Sequence, residues 1–340
     1  MANQLDYGRL LGFVGRFSLT HVFAYVLVGT GFVALLSGMP RTDIIAIQFF
    51  EPYRPLDASV IGWQAVRGVV MGLIFFPFYD AIIARKRGGF VLFNVELGLS
   101  IIGSVQPMPG SIEGVLYTVM TPLEHSLVLG ASAIHVGFLT GVFVRWERWS
   151  NPEIEVERVA LIGDAVRDAR FRFLSRFTIL HVLTYVLAGI AFMEIQDYET
   201  AFKAMAAFEL YRPLDGMVGL FVFPTQIVRG LLFGLLPLPL YERIFRESYG
   251  WLYLFGLFWG ITLMGSPNAI QGLFESLVTS PVSGTLLGTA EDTVQMALFS
   301  VLIWGWERRS NARQVDLSPR ESPRYCGQVP TVFLYQLHYY

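Results

Sequence analysis

Charge is scarce in this chain. Asp, Glu, Lys and Arg together make up 15% of 340 residues, against about 25% in soluble domains, too few to keep a water-facing surface dispersed. Cysteine is nearly absent. Cys326 stands alone, so no intrachain disulfide forms and the redox compartment is unreadable. Basic clustering is lacking as well: the net charge is -2, and no cationic stripe is there to neutralise phosphates, which excludes a nucleic-acid partner. A phosphate loop, His-Glu-x-x-His and Gly-x-Ser-x-Gly are all missing, and the pair Gly110-Ser111 is too slight to make a serine nucleophile. The first apolar run opens at Phe17 after a polar start and meets no small-residue cleavage site before Pro40, so it reads as a retained helix rather than a cleaved leader.

What is abundant is hydrocarbon. Hydrophobic residues reach 54%, phenylalanine alone numbers 28, and the mean hydropathy is +0.50. The apolar runs have the length of membrane spans.

The chain also resembles itself. Arg16-Phe17-Ser18-Leu19-Thr20-His21 with Tyr25 and Gly29 returns as Arg176-Phe177 through His181, Tyr185 and Gly189. Phe50-Glu51-Pro52-Tyr53-Arg54-Pro55-Leu56-Asp57 returns as Phe208-Glu209-Leu210-Tyr211-Arg212-Pro213-Leu214-Asp215. Gln64, Arg67, Gly68, Gly72, Pro77 and Tyr79 return as Gln226, Arg229, Gly230, Gly234, Pro239 and Tyr241, and Trp146-Glu147-Arg148 as Trp306-Glu307-Arg308. Blocks repeated in the same order indicate an internal duplication.

Each copy holds four apolar runs, at 17–38, 59–83, 89–105 and 126–145 and then at 177–194, 217–240, 250–266 and 286–305. At about 1.5 Å per residue, some 20 residues cross the hydrocarbon. The expected fold is therefore an all-α integral membrane protein of two tandem repeats, each of four transmembrane helices, eight spans in all. The expected division is 1–151 for the first membrane repeat, 152–175 for a charged cytoplasmic linker helix, 176–311 for the second repeat and 312–340 for a loosely ordered tail. The third run of each copy is short, and 106–124 and 267–285 read as re-entrant or interfacial, which requires protein or water around their backbone.

Lys and Arg set orientation. Arg16, Arg85-Lys86-Arg87, Arg145, Arg148, Arg176, Arg243, Arg246, Arg308 and Arg309 fall on one side, and Arg41, Arg54 and Arg212 on the other. Both termini are then cytoplasmic. An even helix number per copy makes the repeats parallel, where an odd number inverts them. The plasma or inner membrane is the expected location.

Ionisable residues inside spans are costly and carry the functional expectation. Gln64, Arg67, Gly68 and Gly72, like Gln226, Arg229, Gly230 and Gly234, share one face of the second helix of each copy, with small residues permitting close helix approach. Each arginine is an interhelix pin or an anion anchor. Glu291 and Asp292 are the expected partners of Arg229, and Glu113 or Glu124 those of Arg67. His21 and His181 sit at matched positions. The pair invites a haem or metal reading, but no Cys or carboxylate spacing supports a site, and no cofactor is designated. Glu96 is unmatched, with Phe258 in its place, and a contact with His21 is expected. His125 and His135 face Thr285 and Gln295 across the alignment. Asp57 and Asp215 are placed to cap the helices that follow, and Trp146 and Trp306 to anchor at the interface.

The leading functional expectation is a transporter-like or small-molecule- or lipid-binding protein with a polar site between two bundles. The site residues are Arg67, Arg229, Gln64, Gln226, Glu96, Glu291, Asp292, His21 and His181. A non-catalytic subunit of a larger membrane assembly, and an intramembrane lipid-modifying enzyme, are the alternatives. The partners expected are membrane lipid and, on the second reading, other membrane subunits.

Overall fold

The structure is a computed structural model that describes residues 7–36, 57–105, 107–157, 164–196, 210–213, 216–267, 269–279 and 284–317. Among them there are helices and turns and no strand. Five helices are long and apolar enough to cross a membrane, and two shorter apolar helices accompany them. The chain is a membrane-embedded, all-helical protein.

The first half comprises α1 (Tyr7–Leu36), α2 (Ala58–Phe75), α3 (Gly88–Leu97), α4 (Ile112–Tyr117) and α5 (Pro122–Ser150). The second comprises α6 (Asp164–Gln196), α7 (Gly216–Leu235), α8 (Tyr241–Arg246), α9 (Gly250–Phe255), α10 (Ala269–Thr279) and α11 (Gly284–Leu317). Local chemistry sets several boundaries. Asp57 starts α2 by accepting the backbone N–H of Val60. Thr121 and Glu124 cap α5 reciprocally, with Pro122 at the first helical position, where its missing N–H costs nothing. Pro77 breaks the second run into α2, a 3-10 turn Phe76–Phe78 and a π turn Asp80–Ala84, because proline withdraws a donor from the helix ladder. Pro239 stands in the matching 3-10 turn, Leu238–Leu240. The short third runs end in π-helical turns, Gly98–Ile102 after α3 and Gly256–Ile261 after α9.

Packing in the two halves follows one scheme. α1 lies against α2 and α5, and α3 against α5; α6 lies against α7 and α11, and α9 against α11. The glycines on α2 and α7 permit the first of these contacts. A Cβ on Gly68 would stand 2.7 Å from the Cα of Ser18, and one on Gly230 3.1 Å from Thr178. Phenylalanines fill the interior: Phe13 meets Phe143 edge-on at 4.9 Å, and Phe177 meets Phe299 at 4.7 Å. The outer faces are apolar stripes, Leu19, Phe23 and Leu27 on α1 and Ile179, Leu183 and Leu187 on α6, each at the four-residue spacing of one helix face.

Each half is clasped at one end by a buried glutamate. Glu147, 0% exposed, accepts from Arg16 Nε at 2.6 Å, Tyr79 Oη at 3.0 Å and Asn151 Nδ2 at 2.9 Å. Glu307 accepts from Arg176 Nη1 and Tyr241 Oη, both at 2.8 Å. The glutamates of the duplicated Trp-Glu-Arg blocks thus fasten the last helix of each half to the first. Glu147→Gln keeps the shape and removes the charge, and a loss of about 1–3 kcal/mol is expected, read as a lowered melting temperature in detergent.

The structure departs from the sequence expectation at three places. In the charged segment 152–175 the described residues do not form one helix of their own. Residues 152–157 are irregular, with Glu157 N donating to the Ala84 carbonyl and Lys86 N to that of Glu157, and from Asp164 onward the chain already belongs to α6. The helical content read there is real, but nothing breaks the helix before the apolar run. At the other end α11 continues past the expected boundary of 311 to Leu317. The second run of each half is interrupted by its proline rather than continuous. The rest of the tail, residues 37–56 and 197–209, and Asp215 lie outside the described residues.

Candidate functional site

The two halves meet through their second and third helices, and the arginines stand there. α2 packs on the π turn after α9, α7 on the π turn after α3, and the two π turns on each other. A Cβ on Gly265 would overlap the carbonyl oxygen of Ser100, and one on Gly103 the ring of Phe233, so glycine is what lets the backbones of the two halves touch.

Each arginine reaches across this seam. Arg229, 1% exposed, donates from Nη2 to the carbonyls of Gly103 at 3.0 Å and Ser104 at 3.1 Å. Its Nη1 meets Glu113 Oε1 at 2.5 Å. Gln226 Nε2 donates to the same carboxylate oxygen at 3.0 Å, while Gln226 Oε1 accepts from His181 Nε2 at 3.3 Å. The guanidinium also lies over Phe233, 4.9 Å from the ring centre. This is a closed arrangement in which a buried cation has its counter-ion and carbonyl acceptors.

Glu113, not Glu291 or Asp292, is therefore the ion-pair partner of Arg229. The expectation followed membrane depth within the second half, whereas α4 of the first half packs directly on α7. Asp292 is near enough to feel the charges of Arg229, Glu113 and Glu291 but makes no hydrogen bond to the guanidinium among the described contacts. Glu124 is taken up by the Thr121 cap, so neither carboxylate expected at Arg67 reaches it.

Arg67 is surrounded differently. Its Nη1 donates to Gln64 Oε1 at 3.1 Å and its Nη2 to the carbonyl of Met264. Gln64 Nε2 donates to the Pro267 carbonyl at 2.9 Å, and His21 Nε2 donates to Gln64 Oε1 at 3.4 Å. The partners are neutral oxygens; no carboxylate touches this guanidinium among the described residues. Beside it opens a cavity of about 90 Å³, lined by His21, Tyr25, Arg67, Glu96, Ser100, Ser132 and His135 with apolar neighbours. Among the described residues, four polar atoms of its wall lack hydrogen-bond partners: Arg67 Nε, Glu96 Oε2, His21 Nδ1 and His135 Nε2. Glu96 is 2% exposed. The expected Glu96–His21 contact is not made. His21 turns to Gln64, its ring 5.3 Å from that of His135, and the two expected partners share the cavity instead.

Phe258, standing where the first half has Glu96, packs against Phe177, Phe233 and Phe299. Where the first half sets Glu96 on the cavity wall, the second sets an aromatic ring, while His181 Nδ1 and Gln295 Nε2 also lack hydrogen-bond partners among the described residues. No metal-binding group of three or more His, Cys, Asp or Glu side chains occurs among the described residues.

Of the residues expected in the site, His21, Arg67 and Glu96 converge on the cavity with Gln64 behind them, and His181, Gln226 and Arg229 converge on Glu113. Glu291 and Asp292 join neither directly. Sequence reading missed Glu113 as the partner of Arg229, and Tyr25, Ser100, Ser132 and His135 as cavity wall. A signal for the first was present: Glu113 and Glu275 stand at the same spacing as Arg67 and Arg229, which marks the carboxylate as part of the duplication.

No family model, no curated protein and no solved structure matches this chain. The functional reading rests on its own geometry.

Proposed function

We propose that the chain is an eight-span membrane protein of two parallel four-helix halves that binds a small polar molecule in the first-half cavity and passes it toward one face of the membrane. The second half is the sealed scaffold against which that cavity is held. Parallel halves are supported by the recurrence of the clasps, Arg16–Glu147 and Arg176–Glu307, and by the reciprocal reach of Arg67 and Arg229 across the seam. Both patterns suit an axis along the membrane normal. With both termini cytoplasmic, single cysteines at Lys86 and Arg246 label from the same side of sealed vesicles, and a cysteine at Val119 labels from the other. Labelling of Lys86 and Arg246 from opposite sides contradicts the parallel arrangement.

The observation that carries the binding reading is the unpartnered polar wall of the cavity. An apolar void stays empty at little cost to its lining; a wall of Arg, Glu and two His with unmet hydrogen-bonding groups is expensive until something fills it. Polar lining in a membrane interior marks substrate or ion pathways. The test is chemical access. In a Cys326→Ser background, His135→Cys in native membranes reacts with a small water-soluble thiol reagent, and Gln295→Cys, its counterpart, does not. Equal protection of both removes the case for a ligand route.

A further inference from the structure

The two arginine sites differ by one chemical group. In the second half a carboxylate oxygen, Glu113 Oε1, bridges Arg229 Nη1 and Gln226 Nε2. In the first half the equivalent guanidinium and amide are present, but the carboxylate that matches Glu113, Glu275, is exposed and receives Gln271 Nε2 at 2.9 Å. Next to Arg67 lies the cavity instead. Its volume of about 90 Å³ has room for more than one water-sized group, and so for the head of a small carboxylate.

We propose that this cavity binds a free short-chain carboxylate, its oxygens set against Arg67 as those of Glu113 are set against Arg229, and that a proton enters with it on Glu96. The proposal rests on reading the cavity as a binding site and adds the class of occupant. Ser100, Ser132 and the His135 ring supply further donors on the wall. Glu96 sets the proton requirement. Two ionised carboxylates do not share a small site, so the anion enters when Glu96 carries its proton and donates it as a hydrogen bond. Anion and proton arrive as a neutral pair, which lowers the cost of bringing charge into the bundle. The other titratable groups facing Glu96 are Arg67, which remains cationic, Tyr25, His21 and His135. His135→Gln therefore serves as the control that separates imidazole titration from that of Glu96.

The experiment is a thermal-stability titration of the purified full chain in mild detergent at constant ionic strength, with sodium acetate, ethylammonium chloride, glycerol and decanoate as probes. Acetate is expected to raise the melting temperature saturably, and to bind more tightly near about pH 6 than near about pH 8, as a proton-coupled anion does. Glu96→Gln keeps acetate binding and flattens its pH dependence; His135→Gln leaves that dependence in place. Ser132→Phe fills the cavity without touching a charge and abolishes the acetate effect, and Arg67→Gln weakens it at least about tenfold. If glycerol or ethylammonium stabilises in a manner that Ser132→Phe removes while acetate does not, the cavity remains a binding site and the carboxylate assignment falls. Preference for decanoate overturns the free short-chain acid in favour of a fatty-acid headgroup. An acetate effect that survives Ser132→Phe overturns the site itself, and pH-independent acetate binding overturns the coupling to Glu96.

Discussion

Arg229→Ala is expected to destabilise the folded protein by about 3–5 kcal/mol, the usual consequence of leaving a buried ion pair with one member. The remaining Glu113 carboxylate and the Gly103 and Ser104 carbonyls would face no cation in a site that is 1% exposed at the arginine. Thermal unfolding in detergent gives the readout. Glu113→Ala belongs to the same class of effect, and the double variant Arg229→Ala/Glu113→Ala loses less than the sum of the two, because the groups act as a unit. Glu291→Gln and Asp292→Asn are expected to cost markedly less, since neither donates to nor accepts from the guanidinium in the described contacts. Arg67→Ala costs about 1–3 kcal/mol, having only neutral acceptors to strand. A chain in which Asp292→Asn is as damaging as Glu113→Ala would return the ion pair to the second half and undo the cross-seam arrangement.

The second large effect is expected at the seam between the halves. Gly265→Ala introduces a Cβ into the space of the Ser100 carbonyl oxygen, and Ser104 Oγ hydrogen-bonds the Thr262 carbonyl close by, at 3.4 Å. Backbone cannot swing aside as a flexible side chain does, so relief requires the two π turns to separate. Overpacking of this kind costs about 1–3 kcal/mol, with a further contribution from any hydrogen bonds lost by Arg67, whose acceptor Met264 is the residue next to Gly265. Gly29→Ala, with open space around its Cβ, is the matched control and is expected to leave the melting temperature almost unchanged. Equal behaviour of the two variants would show that the halves do not meet at Gly265.

Periodicity and apolar run length made the membrane class legible, because a helix that faces lipid must be apolar over its whole spanning length. Capping was legible at Asp57, since its side chain has one short-range task that the following residues define. The duplicated Gln and Arg were legible as buried polar groups, and Glu96 stood out because its matching position is Phe258. Partnerships were much less legible. A single chain shows which residues share a helix face, but which helix lies opposite depends on how two similar halves interlock. The halves exchange contacts, so Arg229 finds Glu113 rather than Asp292 of its own half, and Arg67 finds the Met264 carbonyl, a backbone group with no sequence signature. The cavity was illegible for a similar reason. It is walled by side chains from several elements, and only their packing reveals that Arg67, Glu96 and His135 share it. The start of the second repeat was not legible, because in Asp164–Gln196 charged and apolar residues share one continuous helix that neither proline nor glycine divides before Gly189.

The account turns on one asymmetry, a polar hollow at Arg67 and a sealed ion pair at Arg229. A high-resolution cryo-electron-microscopy map of the full chain in lipid nanodiscs measures it most directly. It should show ordered non-protein density, water or a small anion, between Arg67, Glu96 and His135, and continuous side-chain density joining Arg229 to Glu113 with nothing between. Density in which Glu96 contacts Arg67 directly and no space remains, or solvent lying between Arg229 and Glu113, would contradict it.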